Sequence, residues 1–176
     1  DADDAERFLE RLGSADTLLL HLSEGVDDTA RRHFLALRFG ANNWAVGPAL
    51  AGIHAAGLLD EDLEVMADHD ASIVWSPLSN LLLYGDTTRV KEAAEHGVRI
   101  GLGSDWSVSG SKNLLGELKV ARLVSDELGG VFTDLEIAAM ATRNAAAILK
   151  WDALLGSLEA GKLADLFVLR GDERDP

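Results

Sequence analysis

Apolar and polar positions along this chain alternate between a helical and a strand-like spacing. Residues 3–12 place Phe8, Leu9 and Leu12 on one face, with Gly13 as the stop, and predict a short amphipathic helix. Thr17 to Leu20 is a short, mostly apolar run ending in His21, and it predicts a buried strand. Asp27 and Asp28 cap a helix whose apolar stripe is Ala30, Phe34 and Leu37. After a loop at Gly40–Trp44, Ala49 to Ile53 predicts a second strand ending at His54, with a helix as the alternative. Asp60 caps the next helix, which turns Leu63, Met66 and Ala67 inward. Ser72 to Trp75 is a third strand, closed by Pro77. Asp86 or Thr87 caps a helix ending at His96, with Gly97 just past its end. Val98 to Leu102 is a fourth strand and runs into Gly103-Ser104-Asp105. A long helix near 112–128 carries Leu114, Leu118, Ala121 and Val124 on one stripe. Thr133 and Glu136 form a capping box for a helix running to about Lys150. Ala164 to Leu169, after the Gly161-Lys162 turn, predicts a last strand.

The first four strands begin near residues 17, 49, 72 and 98, spacings of 32, 23 and 26 residues. Units of that size build a parallel sheet in an α/β fold. Strands that are almost wholly apolar fit a sheet buried on both faces.

A length of 176 residues predicts one domain. A composition 47% hydrophobic and 26% charged is that of a globular chain with a core. The balance of 16 basic against 30 acidic residues, net −14, repels phosphate backbones and anionic membranes. No nucleic-acid or membrane partner is therefore expected. The absence of cysteine excludes disulfides, thiolate metal sites and cysteine nucleophiles, and leaves the redox compartment open. No apolar run approaches the ~20 residues of a membrane span. The N-terminus, DADDAERFLERL, is acidic and unlike a signal peptide. It lacks an initiating Met and reads as the inside of a longer chain.

Three strands end in residues that an apolar strand does not need: His21 in LLLHLSEG, His54 in AGIHAAGL and Asp105 in GLGSDW. Active sites of parallel α/β folds lie at the C-terminal ends of the strands. Imidazoles and a carboxylate converging there suit a divalent metal. Glu24, three residues after His21, would begin the loop above such a metal, where a carboxylate can move protons. Each residue also has a plainer role. A strand-end His can bond a neighbouring loop, Asp105 can cap a turn, and Glu24 can be a solvated loop charge. Placement at the same end of three strands favours the metal reading.

His69 and His96 fall near helix C-termini, where the macrodipole favours a cation, and His33 is expected to be exposed. Trp44, Trp75 and Trp151 are expected to pack, whereas Trp106 follows Asp105 and suits a pocket wall. No phosphate-binding glycine loop, G-x-S-x-G or HExxH occurs, so nucleotide-binding and serine-hydrolase readings lack support.

The motifs HLSEG, GIHAAGL, WSPLSNLLLYG, GLGSDW and GSLEAGKLADLFVL, in this order, resemble the amidohydrolase superfamily. The nearest branch is that of the metal-dependent deaminases and triazine hydrolases, which includes guanine deaminase and S-adenosylhomocysteine deaminase. The resemblance implies a (β/α)8 barrel with one catalytic divalent metal, zinc first and iron second. It makes His21 and Asp105 metal ligands. It gives His54 the task of orienting or polarising the attacking water and substrate, and Glu24 that of carrying a proton to a ring nitrogen or leaving group. Asp105 also accepts a proton from water. A metal of this kind lowers the pKa of a water to about 7. Pro77, Ser79 and Asn80 match a loop that shapes the site. Lys162, Ala164 and Asp165 match the exit from the barrel into a small β-sandwich. The implied domains are a half barrel over 1–155 and the start of the β-sandwich over 156–176. The implied location is cytoplasmic, and the implied ligand is a small-molecule substrate.

The chain departs from that pattern. Four barrel strands are present rather than eight, and no two His residues stand two apart, so the H-x-H that supplies two further ligands is absent. A closed barrel of this type needs about 250 residues. The expectation is the C-terminal half of an enzyme. A half barrel exposes two sheet edges, which invite pairing with another chain. Self-association into a homo-oligomer, or a missing N-terminal half, would cover them. Three functional readings remain open. Hydrolysis of a non-peptide C–N bond, as in deamination of a nitrogen heterocycle, is the first, and Glu24 favours it. Amide or dechlorinating hydrolysis is the second. An inactive truncated half barrel or assembly module is the third.

Overall fold

The computed structural model describes residues 4–168. Helix α1 (Ala5–Gly13) starts where the Asp4 carboxylate accepts the Arg7 N–H, and it buries Ala5, Phe8 and Leu12. Strand β1 (Leu18–Leu22) runs one residue past His21, where the strand was expected to end. Helix α2 (Asp28–Leu35) is capped by Asp27, which accepts the Ala30 N–H at 2.8 Å. The segment expected to be a loop holds a small antiparallel hairpin, β2 (Arg38–Phe39) and β3 (Asn43–Trp44). Trp44 stacks on Phe34 with ring centroids 5.0 Å apart, which keeps the hairpin against α2.

Strand β4 (Leu50–His54) confirms the strand over the helical alternative. Helix α3 (Asp60–Asp68) is capped at Leu59 rather than Asp60, because Asp62 reaches back to the Leu59 N–H at 2.9 Å. Arg31 clamps Asp62 with two hydrogen bonds and so ties α2 to α3. After β5 (Ser72–Trp75) comes a helix the sequence did not announce, α4 (Pro77–Tyr84). Pro77 opens it instead of ending the strand in a loop, since proline is tolerated in a first helical turn. Pro77, Ser79 and Asn80 therefore lie on a helix rather than in a loop.

Helix α5 (Val90–Glu95) begins later than Asp86 or Thr87, with Arg89 at its N-cap. Thr87 is used elsewhere, accepting the Trp75 indole N–H at 2.8 Å. Strand β6 (Arg99–Leu102) is followed by α6 (Leu114–Glu127). The helix expected from 133 to about 150 is two helices, α7 (Asp134–Met140) and α8 (Arg143–Ile148). They break at Thr142, whose backbone at φ −126° and ψ −97° is not helical. The last expected strand is not formed. Residues 164–168 have no regular structure, and Leu169 lies outside the described residues.

Strands β1, β4, β5 and β6 form one parallel sheet in that order. Leu22 stands opposite His54, and Trp75 opposite Leu102, so all four C-terminal ends share one rim. Leu22, Phe34, Leu50, Leu63, Met66, Ile73 and Trp75 are among the residues that fill the core. Among the described residues β1 pairs only with β4 and β6 only with β5, so each outer strand keeps a free edge. Leu19, on β1, is 51% exposed. At the opposite end of the sheet, Asn144 of α8 bonds the Ile100 carbonyl, and Thr17 bonds the Ile148 carbonyl.

Candidate functional site

The four residues singled out by the sequence meet on the rim. His21 lies near the end of β1 and His54 ends β4, with ring centroids 5.4 Å apart. Glu24 follows β1, and its Oε1 lies 3.7 Å from His54 Nε2. Asp105, just after β6, places Oδ2 3.9 Å from the same nitrogen. Donor atoms of His21, Glu24 and His54 all lie within 4.8 Å of one another, a grouping that can hold a metal ion. Asp105 stands beside that trio and meets it at His54. The backbone leaves the strands abruptly here: Ser23, His54 and Asp105 have φ of 47°, 66° and 56°. Such left-handed conformations in non-glycine residues concentrate at functional sites.

Hydrogen bonding fixes the state of His54. The Thr88 hydroxyl donates to the His54 carbonyl, so its oxygen is left to accept the Asn80 amide N–H at 3.0 Å. That turns the Asn80 carbonyl toward His54, where Oδ1 lies 2.9 Å from Nδ1. Nδ1 therefore donates to Asn80, and Nε2 is the nitrogen turned toward the two carboxylates. His54 is fully buried, and Nε2 has no hydrogen-bond partner. A buried imidazole nitrogen without a partner, facing two carboxylates, fits a metal or a bound water.

Asp105 is held as a carboxylate. Burial works to raise its pKa, hydrogen bonds from the Ser79 hydroxyl and the Trp106 N–H lead the effects that oppose it, and the net shift is downward. The Ser79 hydroxyl donates to Oδ2 and the Trp106 N–H to Oδ1 at 2.8 Å. Ser109 lies 3.5 Å from the same Oδ2. The loop from Ser104 to Gly110 is tight enough that a Cβ at Gly110 would fall 1.7 Å from the Ser104 carbonyl oxygen, so only glycine fits.

Four contributors were not legible in the sequence. Thr88 and Ser109 complete the bonds just described. The Tyr84 hydroxyl, at the end of α4, donates to Glu24 Oε1 at 2.7 Å. Burial, the bond to Glu24 and the charges of Glu24 and Asp105 push that phenol well above its ordinary pKa. Glu117 of α6 is fully buried, and its carboxylate accepts the Leu78 N–H at 3.2 Å and the Ser111 N–H at 3.0 Å. It thereby joins the first turn of α4 to the loop that follows Asp105.

The remaining histidines are outside the site. His69 caps α3 and bonds the Val65 carbonyl, His96 caps α5 and meets Asp60, and His33 is exposed. Trp75 packs as expected, but Trp151 is 52% exposed. Trp106, beside Asp105, is 66% exposed.

The family model of the amidohydrolase family matches residues 38–176. The chain belongs to the amidohydrolase family. It is similar to a 5-methylthioadenosine/S-adenosylhomocysteine deaminase of Symbiobacterium thermophilum, 31% identical over 85% of this chain and 37% of that one. It is also similar to an S-triazine hydrolase of Gordonia rubripertincta, 32% identical over 68% of this chain and 29% of that one. Among solved structures it resembles an atrazine chlorohydrolase from Arthrobacter aurescens TC1 complexed with zinc. That match has a TM-score of 0.74 and 25% identity, and covers 92% of this chain and 38% of the other. The four parallel strands are thus part of an amidohydrolase barrel, and the chain spans well under half the length of these relatives. No helix among the described residues is long and apolar enough to cross a membrane.

Proposed function

We propose that the protein containing this chain is a metal-dependent hydrolase of non-peptide C–N bonds that deaminates a nitrogen heterocycle. The observation that carries this reading is His54: a buried Nε2 without a partner, its tautomer set by Asn80, facing Glu24 and Asp105. His21 and Asp105 would hold a divalent metal, zinc by preference, with the other ligands from outside this chain. Such a metal, when bound, supplies a water acidic enough to act near neutral pH. His54 Nε2 would accept a hydrogen bond from the attacking water and orient it. Asp105, kept ionised by Ser79 and Trp106, would accept a proton from that water. Glu24 carries a proton to the ring nitrogen of the substrate, which makes the attacked carbon more electrophilic. The substrate is a small molecule, and a cytoplasmic location belongs to the same proposal. So does a boundary near residue 155, with 156–176 opening a C-terminal β-sandwich, and so does cover of the free edges of β1 and β6 by further barrel strands or a second copy.

Similarity to an atrazine chlorohydrolase favours dechlorination as the second reading. The test is metal analysis by mass spectrometry, followed by ammonia and chloride assays on aminated purines and chlorinated triazines. About one zinc per chain and ammonia release from an aminated heterocycle are expected. Chloride release without ammonia would replace deamination with the second reading. A metal-free protein inert to both panels would overturn the proposal.

A further inference from the structure

We propose that Tyr84 is the positioning residue for Glu24, its phenol holding Oε1 beside His54 so that Oε2 is left to carry the proton. This rests on the proton-carrying role proposed for Glu24 above.

The argument begins with α4. This one helix of eight residues sends a side chain to three of the four site residues. Ser79 bonds Asp105, Asn80 bonds His54 and Tyr84 bonds Glu24. The first two fix a carboxylate and an imidazole in a defined orientation, and the third has the same form. The helix is itself held at both ends. Glu117 accepts the Leu78 N–H at its start. Gly85, at φ 72°, stops it in a left-handed cap and bonds the Leu81 carbonyl.

Glu24 has no such anchorage of its own. It lies in the turn after β1, between Ser23 and Gly25, with its side chain 37% exposed. It borders a cleft of about 410 Å³ that also touches Val26, Asp27, His33 and Tyr84. A long carboxylate beside such a space is free to swing into it. Among the described residues, the Tyr84 hydroxyl is the one group that hydrogen-bonds Glu24. It bonds an oxygen that also lies 3.7 Å from His54 Nε2, so the tether holds Glu24 over the site rather than out in the cleft. The phenol ring alone would fill the same volume. The three preceding residues, Leu81, Leu82 and Leu83, are all exposed and apolar, so the hydroxyl is the distinguishing feature at the end of the helix.

The test follows Tyr84 in the full-length protein containing this chain. A carbon-13 label at tyrosine Cζ, with the Tyr84 signal assigned by its loss in Tyr84→Phe, is read at fixed neutral pH. That signal is expected to move in Glu24→Gln, and a signal unchanged by Glu24→Gln would overturn the proposal. The second arm uses the full-length protein containing this chain, loaded with zinc. Tyr84→Phe should lower kcat by about 10- to 100-fold, the usual effect of removing an outer hydrogen-bond partner, with KM little changed. Adding Tyr84→Phe to Glu24→Gln should cause no further loss. A raised KM with kcat intact, or a further loss in the double variant, would mean that Tyr84 touches the substrate and would overturn the proposal. Full turnover in Glu24→Gln would overturn the proton-carrying role and the positioning role with it, while a moved NMR signal would still report the bond itself.

Discussion

Replacing Glu117 by alanine removes the acceptors that, among the described residues, satisfy two part-buried backbone N–H groups, those of Leu78 and Ser111. The carboxylate is fully buried, with one oxygen 3.2 Å from the Leu78 nitrogen and the other 3.0 Å from the Ser111 nitrogen. A fully buried donor left without an acceptor costs roughly 1–3 kcal/mol, and these two are part-buried, so together they cost about 1–3 kcal/mol. The void left by the shorter side chain adds to that loss. Against a typical domain stability of about 5–15 kcal/mol, this is a measurable fraction. Glu117→Gln keeps one acceptor oxygen and points an amide N–H at the other donor, so it should lose about half as much. Urea unfolding followed by tryptophan fluorescence measures both, since Trp75 is buried in the core. The midpoint should fall with the slope unchanged, which marks a loss of stability rather than of cooperativity. A Glu117→Ala chain within about 1 kcal/mol of the parent, the scale of one ordinary hydrogen bond, would refute the assignment of Glu117 as the brace between α4 and the Asp105 loop.

Asp105→Asn or His21→Ala should abolish hydrolysis in the full-length protein and leave its circular dichroism spectrum unchanged; asparagine also tolerates the left-handed backbone at 105, and unchanged turnover in either variant would refute the ligand assignment. Asn80→Ala should release the His54 tautomer, seen by nitrogen-15 NMR as loss of the single Nδ1–H form, and an unaltered tautomer would refute the Thr88–Asn80–His54 chain. Thr133→Ala removes the N-cap of α7 and should cost about 1 kcal/mol in thermal unfolding. The Thr133 N–H and hydroxyl hold Glu136 below its ordinary pKa of 4.5, so that carboxylate stabilises the fold above the ordinary value and loses its effect as pH falls through the lowered one. The difference in stability between the parent and Thr133→Ala should therefore shrink in acid, and a difference that grows below pH 4.5 would contradict it.

The four strands, and the polar ends of three of them, were legible because an apolar run closed by a lone His or Asp breaks a strong pattern. The Thr133–Glu136 capping box and most helix faces followed from local rules as well. What escaped depends on contacts distant in sequence or on segments too short to show a period. Leu81, Leu82 and Leu83 follow one another without an amphipathic spacing and end up exposed, so α4 gave no helical signal. Each strand of the 38–44 hairpin has two residues, fewer than any alternation can reveal. Glu117 interrupts the Leu114–Ala121 stripe with a charge and reads as a solvated flank, although its partners bury it completely. Tyr84 meets Glu24 across 60 positions, a pairing that no local pattern encodes.

The strand ends carry an energetic burden that explains why α4 must be rigid. A non-glycine residue in the left-handed region costs about 1–2 kcal/mol, and Ser23, His54 and Asp105 all stand there. Such conformations persist only where the surroundings over-determine them. His54 is gripped twice, at its ring by Asn80 and at its carbonyl by Thr88, and Asn80 also bonds Thr88. Asp105 is gripped by Ser79 and by the N–H of its own neighbour Trp106. Ser79 and Asn80 are adjacent on α4, so one helix restrains the strained ends of two different strands, β4 and β6. The two ends are then mechanically linked. A change that tilts α4 shifts the imidazole and the carboxylate together, and preserves their separation better than two independent loops would. That linkage suits a site whose chemistry depends on the distance between an imidazole nitrogen and a proton acceptor, here 3.9 Å between His54 Nε2 and Asp105 Oδ2.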